Sequence, residues 1–124
     1  MSSAKASWRS KISAADAAVC GYQGWRNYET WAVALWLGNE RTSYDYWREA
    51  ARRCQREAPT DSRVIGGMWT PNEAAMFNLS DQLWEEIHEA CPLTAPTMYA
   101  NLLIAALSEV DCQEIAASLL DELD

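Results

Sequence analysis

The sequence predicts an all-α fold, a compact single-domain bundle of about five helices. Apolar residues recur every three to four positions in several segments, and helix-capping signals precede those segments. No stretch alternates apolar and polar residues for long enough to form a strand. A chain of 124 residues with 49% apolar residues can bury one modest core without disulfide bonds.

The helical domain is expected to span residues 25–124, with its central helix at residues 28–37. Asn27 is a favourable N-cap and Gly38 a stop signal. The segment Trp31–Leu37 is apolar on every side, and a helix that is apolar all round is buried. Residues 1–24 are expected to be poorly ordered, except for a short helix that starts near Ser13 and reaches Cys20.

Four further helices complete the predicted bundle. The second covers residues 44–57 with Ser43 as its N-cap, and the third runs from the capping box Thr70–Glu73 to about Ala90. The fourth covers about residues 97–108, and the fifth begins at a second capping box, Asp111–Glu114. Helical spacing predicts the following core residues: Tyr44, Trp47, Ala51, Cys54, Met76, Phe77, Leu83, Trp84, Ile87, Tyr99, Leu102, Leu103, Ala106, Leu107, Cys112, Ile115, Ala116, Leu119, Leu120 and Leu123.

Charge is distributed unevenly along the chain, whose net charge is −8. All Lys and Arg residues lie at or before Arg63, where ten bases against seven acids give +3, and the eleven acids from Glu73 onward give −11. Such a charge argues against direct nucleic-acid binding by the second half. It favours a basic partner, or mimicry of a polyanion.

Seven acids are predicted to form the partner-binding surface. Asp81, Glu85 and Glu89 are spaced i, i+4, i+8 and form one stripe with a step of about 6 Å, and Glu86 lies beside them. Duplex DNA carries a charge about every 3.4 Å per strand, so two adjacent acidic helices would approach its charge density. The C-terminal helix contributes Glu114, Asp121 and Glu122. The alternative interpretation is a solvated surface that the arginines of the second helix neutralise internally.

The sequence contains no recognisable catalytic or metal-binding motif. Its one histidine, His88, lies near a helix end and has no identifiable orienting partner, which is typical of a surface residue. Aromatic residues around Trp25–Trp47 could stack on single-stranded nucleic acid, but their helical spacing favours a core. We therefore expect no enzymatic activity, no cofactor and no metal.

The cellular context follows from the cysteines and the apolar segments. Cys20, Cys54, Cys91 and Cys112 are too far apart for a zinc motif, and the polar N-terminus does not resemble a signal peptide. The longest apolar run, Trp31–Leu37, is too short to span a membrane. These features predict a reduced, cytoplasmic protein. We expect it to be a monomer or a dimer.

Two segments resemble a known family. The segment Asn27–Glu40, NYETWAVALWLGNE, is similar to the opening motif of a group of small proteins of unknown function that are common in bacteriophages and conjugative plasmids. The segment Met98–Leu120 resembles their C-terminal part. The resemblance implies a mobile-element origin in a bacterial cytoplasm but transfers no catalytic residue. It favours an anti-CRISPR or anti-restriction inhibitor whose partner is a host protein or nuclease complex with a basic surface. The alternative is an adaptor or regulator that binds a host protein through an aromatic patch.

Overall fold

A computed structural model describes residues 21–93 and 96–123, and in this part of the chain the fold is all-α. The helix predicted between Ser13 and Cys20 lies outside the described residues. The helices are α1, Tyr28–Asn39; α2, Arg41–Glu57; the short α3, Ser62–Ile65; α4, Pro71–Glu89; α5, Met98–Ser108; and α6, Cys112–Asp121. A 3₁₀ turn, Ala58–Thr60, follows α2. The prediction of a single all-α domain is confirmed.

Local hydrogen bonds explain where the helices begin. The side chain of Asn27 accepts from the Thr30 backbone N–H at 2.9 Å, as expected for an N-cap. Thr70 and Glu73 form the complete capping box that the sequence predicts for α4. The predicted start of α2 is wrong: the helix begins at Arg41, because Glu40 and not Ser43 is its N-cap.

The core lies where α4 packs against α2 and α6. Leu79 and Leu83 of α4 are fully buried, with Trp47 and Ile115 among their neighbours in the same core cluster. Much of the remaining core consists of alanine: Ala50, Ala51, Ala58, Ala74, Ala75 and Ala116. Small residues allow helix axes to approach closely, so α4 with its two amphipathic neighbours forms the centre of the bundle.

The prediction that residues 28–37 form a buried central helix is wrong. Thr30 is the buried residue of α1, and Trp36 is 73% exposed. One side of α1, including Trp31 and Leu37, packs against the core, and the other side faces outward. The reason is that α2, α4 and α6 already fill the centre, so α1 can only cover one flank of the bundle.

Helix α5 departs from its predicted packing in the same way. Tyr99 and Leu102, both predicted core residues, are 67% and 62% exposed. Ala100 is buried, but no α5 residue belongs to the core cluster. By contrast, the core residues predicted for α6 lie in or against the core cluster, beginning with Cys112 and Ile115.

Three hydrogen bonds connect the start of α1, including the residues just before it, to the loop before α6 and the first turn of α6. The buried Thr30 hydroxyl donates to Asn27 Oδ1 at 2.6 Å and accepts from the Asp111 backbone N–H at 2.9 Å. Asn27 Nδ2 donates to the Glu109 carbonyl oxygen at 2.7 Å. The second predicted capping box is therefore only half formed: Asp111 caps Glu114 N–H, but Glu114 Oε1 accepts from the Arg26 backbone N–H at 2.9 Å.

None of the described helices is both long enough and apolar enough to cross a membrane.

Candidate binding face on helix α4

The outward face of α4 presents three carboxylates in one line, which we call the acidic stripe: Asp81, Glu85 and Glu89. All three side chains are exposed, and each step along the stripe rises about 6 Å. Within residues 21–93 and 96–123, no Lys or Arg forms an ion pair with them. The stripe thus has the geometry predicted from its spacing, and its charges face solvent.

Glu86, which the sequence placed beside the stripe, faces α2. Its carboxylate accepts from the Tyr46 hydroxyl at 2.8 Å and from Gln82 Nε2 at 2.8 Å, and Arg53 of α2 donates to Gln82 Oε1. The hydrogen bond to Glu86 raises the pKa of Tyr46, and desolvation adds to the effect. Glu86 therefore belongs to the network that joins α2 to α4.

The arginines of α2 do not neutralise the acidic stripe through ion pairs. Arg41 pairs with Asp45 at 3.2 Å, and Arg52 pairs with Glu49 at 3.7 Å, both within α2. Exposed pairs of this kind contribute little to stability. In place of the predicted pairing between α2 arginines and α4 acids, Arg53 donates a hydrogen bond to Gln82, which in turn donates to Glu86.

Beside the acidic stripe lies an aromatic ridge formed by Phe77, Trp84 and His88. Phe77 and Trp84 were predicted to be core residues, but they are 38% and 51% exposed. The Trp84 and His88 rings stack at 3.9 Å, and His88 Nδ1 donates to the Trp84 carbonyl oxygen at 2.8 Å. Their spacing could have revealed this position: Phe77, Asp81, Trp84 and His88 follow i, i+4, i+7, i+11 and share one helix face.

The base of the ridge is held by a polar cluster around α3. Arg63 lies over the Trp69 ring at 4.2 Å, and Trp69 contacts Phe77 at 5.0 Å. Arg63 also forms an ion pair with Asp61 at 2.8 Å, and Asn78 Nδ2 donates to Asp61 at 3.1 Å. Hydrogen bonds from Arg63 and Asn78 hold the pKa of Asp61 well below its usual range. This cluster was not predicted, because its members come from separate elements.

An open groove of about 500 Å³ lies between α4 and the loop before α6. Arg26 lines it, with one guanidinium nitrogen 3.6 Å from an Asp111 carboxylate oxygen. Burial, with Asp111 nearby, raises the pKa of the Cys112 thiol to about 11, which disfavours the thiolate at neutral pH. The groove is lined by Arg26, Ser80, Asp81, Trp84, Ser108, Glu109, Val110, Asp111, Cys112 and Gln113.

The residues that line the groove include carboxylates and Arg26 but no histidine. His88, the one histidine of the chain, is not among its lining residues, and its Nδ1 is occupied by the Trp84 carbonyl. No group of His, Cys, Asp and Glu side chains in the described part of the chain is arranged to hold a metal ion. Cys54, Cys91 and Cys112 are free thiols.

The predicted contact residues on α6 are not adjacent to each other. Glu114 lies at the start of the helix and accepts from Arg26, whereas Asp121 and Glu122 lie at its end, about 14 Å along the axis from Cys112. Asp81 lines the same groove as Cys112 and Gln113 at the start of α6. Of the seven predicted contact acids, the structure therefore places three in one exposed line and distributes four elsewhere.

Comparison with known proteins yields a family but no activity. No curated protein and no solved structure matches the chain. The model of DUF7249, described as a family of unknown function, matches residues 18–106. The match includes α1, α2 and α4 with its acidic stripe and aromatic ridge. Because it covers well over half of the sequence, the chain belongs to DUF7249, a family of unknown function.

Proposed function

We propose that the protein is a stoichiometric, non-enzymatic inhibitor of a bacterial defence complex, of the anti-CRISPR or anti-restriction type. Its acidic stripe on α4 would occupy a Lys/Arg-rich surface that otherwise holds DNA or RNA. The observation that supports this function is that Asp81, Glu85 and Glu89 are exposed, aligned and not ion-paired with any described residue. The type of target follows from the resemblance of Asn27–Glu40 to a motif of phage and plasmid proteins.

The aromatic ridge makes the acidic stripe selective for arginine-rich surfaces. The ring of Trp84 is half exposed beside Asp81, at the border of the groove. An arginine that contacts the stripe can stack on an aromatic ring while its charge faces a carboxylate. A plain solvated surface needs no exposed Trp at this position, since an exposed Trp increases the risk of aggregation.

The test measures inhibition of purified CRISPR effector complexes and restriction endonucleases by the full chain. We expect that one of these enzymes binds its DNA or RNA less tightly in the presence of a molar equivalent of the protein. The variant Asp81→Lys/Glu85→Lys/Glu89→Lys should reduce that inhibition by at least about tenfold, because it reverses the charges that meet the basic surface. Glu86 is left unchanged, because it holds α2 against α4.

The matched control reverses three exposed acids of α2, as Asp45→Lys/Glu49→Lys/Glu57→Lys. It has the same net charge as the first variant and should inhibit like the natural protein. Full inhibition by the α4 variant, or equal loss in both variants, would reject the acidic stripe as the contact. Asp121→Lys/Glu122→Lys tests the α6 acids as a separate contact.

A second candidate function is an adaptor that binds a host protein through the aromatic ridge, which the exposure of Phe77 and Trp84 favours. Salt separates the two candidates, because exposed ionic contacts are screened and apolar contacts are not. Binding that persists at high salt and is lost in Trp84→Ala would favour the adaptor. Binding that is lost at high salt in the natural protein would favour the inhibitor.

A further inference from the structure

We propose that the groove between α4 and the loop before α6 binds one arginine side chain of a partner protein. The groove has a volume of about 500 Å³, within the range of about 300–1,000 Å³ that is usual for ligand pockets. The biological role of this site rests on the function proposed above, because the arginine belongs to the basic surface that the acidic stripe contacts. The binding of a guanidinium group to the groove can be tested without that function.

Ser80 is a buried polar side chain that lines the groove without a hydrogen-bond partner. It is 8% exposed, and its hydroxyl forms no hydrogen bond with any residue in the ranges 21–93 and 96–123. Every fully buried side-chain oxygen in this part of the chain has a partner, so the Ser80 hydroxyl keeps some access to the groove. It can therefore accept a hydrogen bond from an N–H group of a ligand without losing a bond within the protein.

The charge of the groove favours a cation. Its lining contains one basic side chain, Arg26, and the carboxylates of Asp81, Glu109 and Asp111. Arg26 pairs with Asp111, whereas the side chains of Asp81 and Glu109 have no ion pair or hydrogen bond with any described residue. One carboxylate on α4 and one on the loop before α6 are thus available to a ligand. Both repel an anion, and a neutral ligand gains little from either.

The aromatic wall of the groove selects a guanidinium group among cations. Trp84 lines the groove with its ring half exposed, although His88 stacks on this ring at 3.9 Å. A planar guanidinium can stack on an indole ring while its five N–H groups point to carboxylates and a hydroxyl. A lysine ammonium has three donors and no plane to stack. Ser80 and Trp84 are spaced i, i+4 on α4 with Asp81 between them, so one side chain can reach all three groups.

The test is an NMR titration of the full chain with N-acetyl-arginine amide, a capped arginine that resembles a side chain within a protein. We expect saturable shifts that include the indole N–H of Trp84, with a Kd of about 1 mM, as is usual for a ligand of this size. N-acetyl-lysine amide should bind at least about fivefold more weakly. Free arginine should bind no more tightly than the capped form, because the groove recognises the guanidinium group.

Two variants remove single groups from the groove, and each has a matched control. Ser80→Ala should weaken binding by at least about threefold and Asp81→Asn by at least about tenfold, because they remove an acceptor and a counter-charge. Ser118→Ala is the control for the first, since Ser118 is also 8% exposed. Asp45→Asn on α2 is the control for the second. Neither control residue lines the groove, so both controls should bind like the natural chain.

Several results would overturn the proposal. They are the absence of saturable shifts up to about 20 mM capped arginine, equal binding of capped lysine, and unchanged binding by Ser80→Ala and Asp81→Asn. Equal weakening in the controls would place the probe outside the groove. Tighter binding of free arginine would reject a protein side chain as the source of the guanidinium.

Failure of this proposal and failure of the proposed function give different results. A chain that binds capped arginine but inhibits no defence enzyme would retain the groove as an arginine site and reject the inhibitor function. A chain that inhibits such an enzyme but does not bind capped arginine would reject the groove alone.

Discussion

Helices α4 and α5 differ in a way that shows what determines burial in this small bundle. Helix α4 has three acids on one face and buries Leu79 and Leu83 on the opposite face. Helix α5 has no charged residue, yet Met98, Tyr99, Leu102 and Ile104 are exposed. The more apolar helix is thus the less buried one.

The difference in polarity between the two faces of a helix therefore determines its burial more than its mean hydropathy does. A polar face fixes which side of α4 can turn inward, and its alanines allow α2 and α6 to approach closely. A helix that is apolar all round gains as much by packing in one orientation as in another. In a chain of this length the core accommodates only the helices that fit most closely, so α1 and α5 remain at the periphery.

The largest expected effect is on the free energy of unfolding, where a substitution in α4 should cost much more than the same substitution in α5. Leu83→Ala should lower the free energy of unfolding by about 2–5 kcal/mol, because it leaves a cavity beside fully buried neighbours. Leu102→Ala removes the same atoms from an exposed position and should change the stability by no more than about 0.5 kcal/mol. Urea unfolding at low protein concentration measures both. Comparable losses in the two variants would show that α5 is packed as firmly as α4.

An intermediate effect is expected where α1 meets the loop before α6. Thr30→Val keeps the shape of a buried side chain but removes the hydroxyl that accepts from the Asp111 N–H. Leaving that donor without a partner should cost about 1–3 kcal/mol in unfolding free energy. The exposed Thr42→Val on α2 is the control and should be nearly neutral. An unchanged stability of Thr30→Val would mean that α1 does not depend on this junction.

The sequence correctly predicted which residues are buried in those helices where polar residues mark one face. The buried stripe with Trp47, Ala51 and Cys54 on α2 and the core face of α6 are confirmed, and the spacing of the acidic stripe was enough to place it on one exposed line. Phe77 and Trp84 were wrongly predicted as core residues from their helical spacing, although the same spacing places them on the helix face of Asp81.

The remaining differences come from contacts between residues that are distant in sequence. Glu86 is held by Tyr46 of α2, and Glu114 by the backbone of Arg26. Neither partner is visible in the local pattern around these acids, so helical spacing alone assigned both to the binding surface. The predicted central position of residues 28–37 was wrong for a related reason, since Trp31–Leu37 contains no polar residue to indicate its inner side.

The smallest expected effect concerns the acid stability of the cluster that supports the aromatic ridge of α4. Hydrogen bonds from Arg63 and Asn78 keep the pKa of Asp61 below its usual range in the folded chain. A carboxyl whose folded pKa is depressed stabilises the fold above its unfolded pKa of about 3.9, and this stabilisation is lost as the pH falls through that value toward the folded pKa. The melting temperature should therefore decrease below about pH 4 by more in the natural chain than in Asp61→Asn. The two chains should differ most at neutral pH and converge in acid. A difference that does not depend on pH would mean that Asp61 acts through its shape or its role as N-cap of α3, and not through its charge.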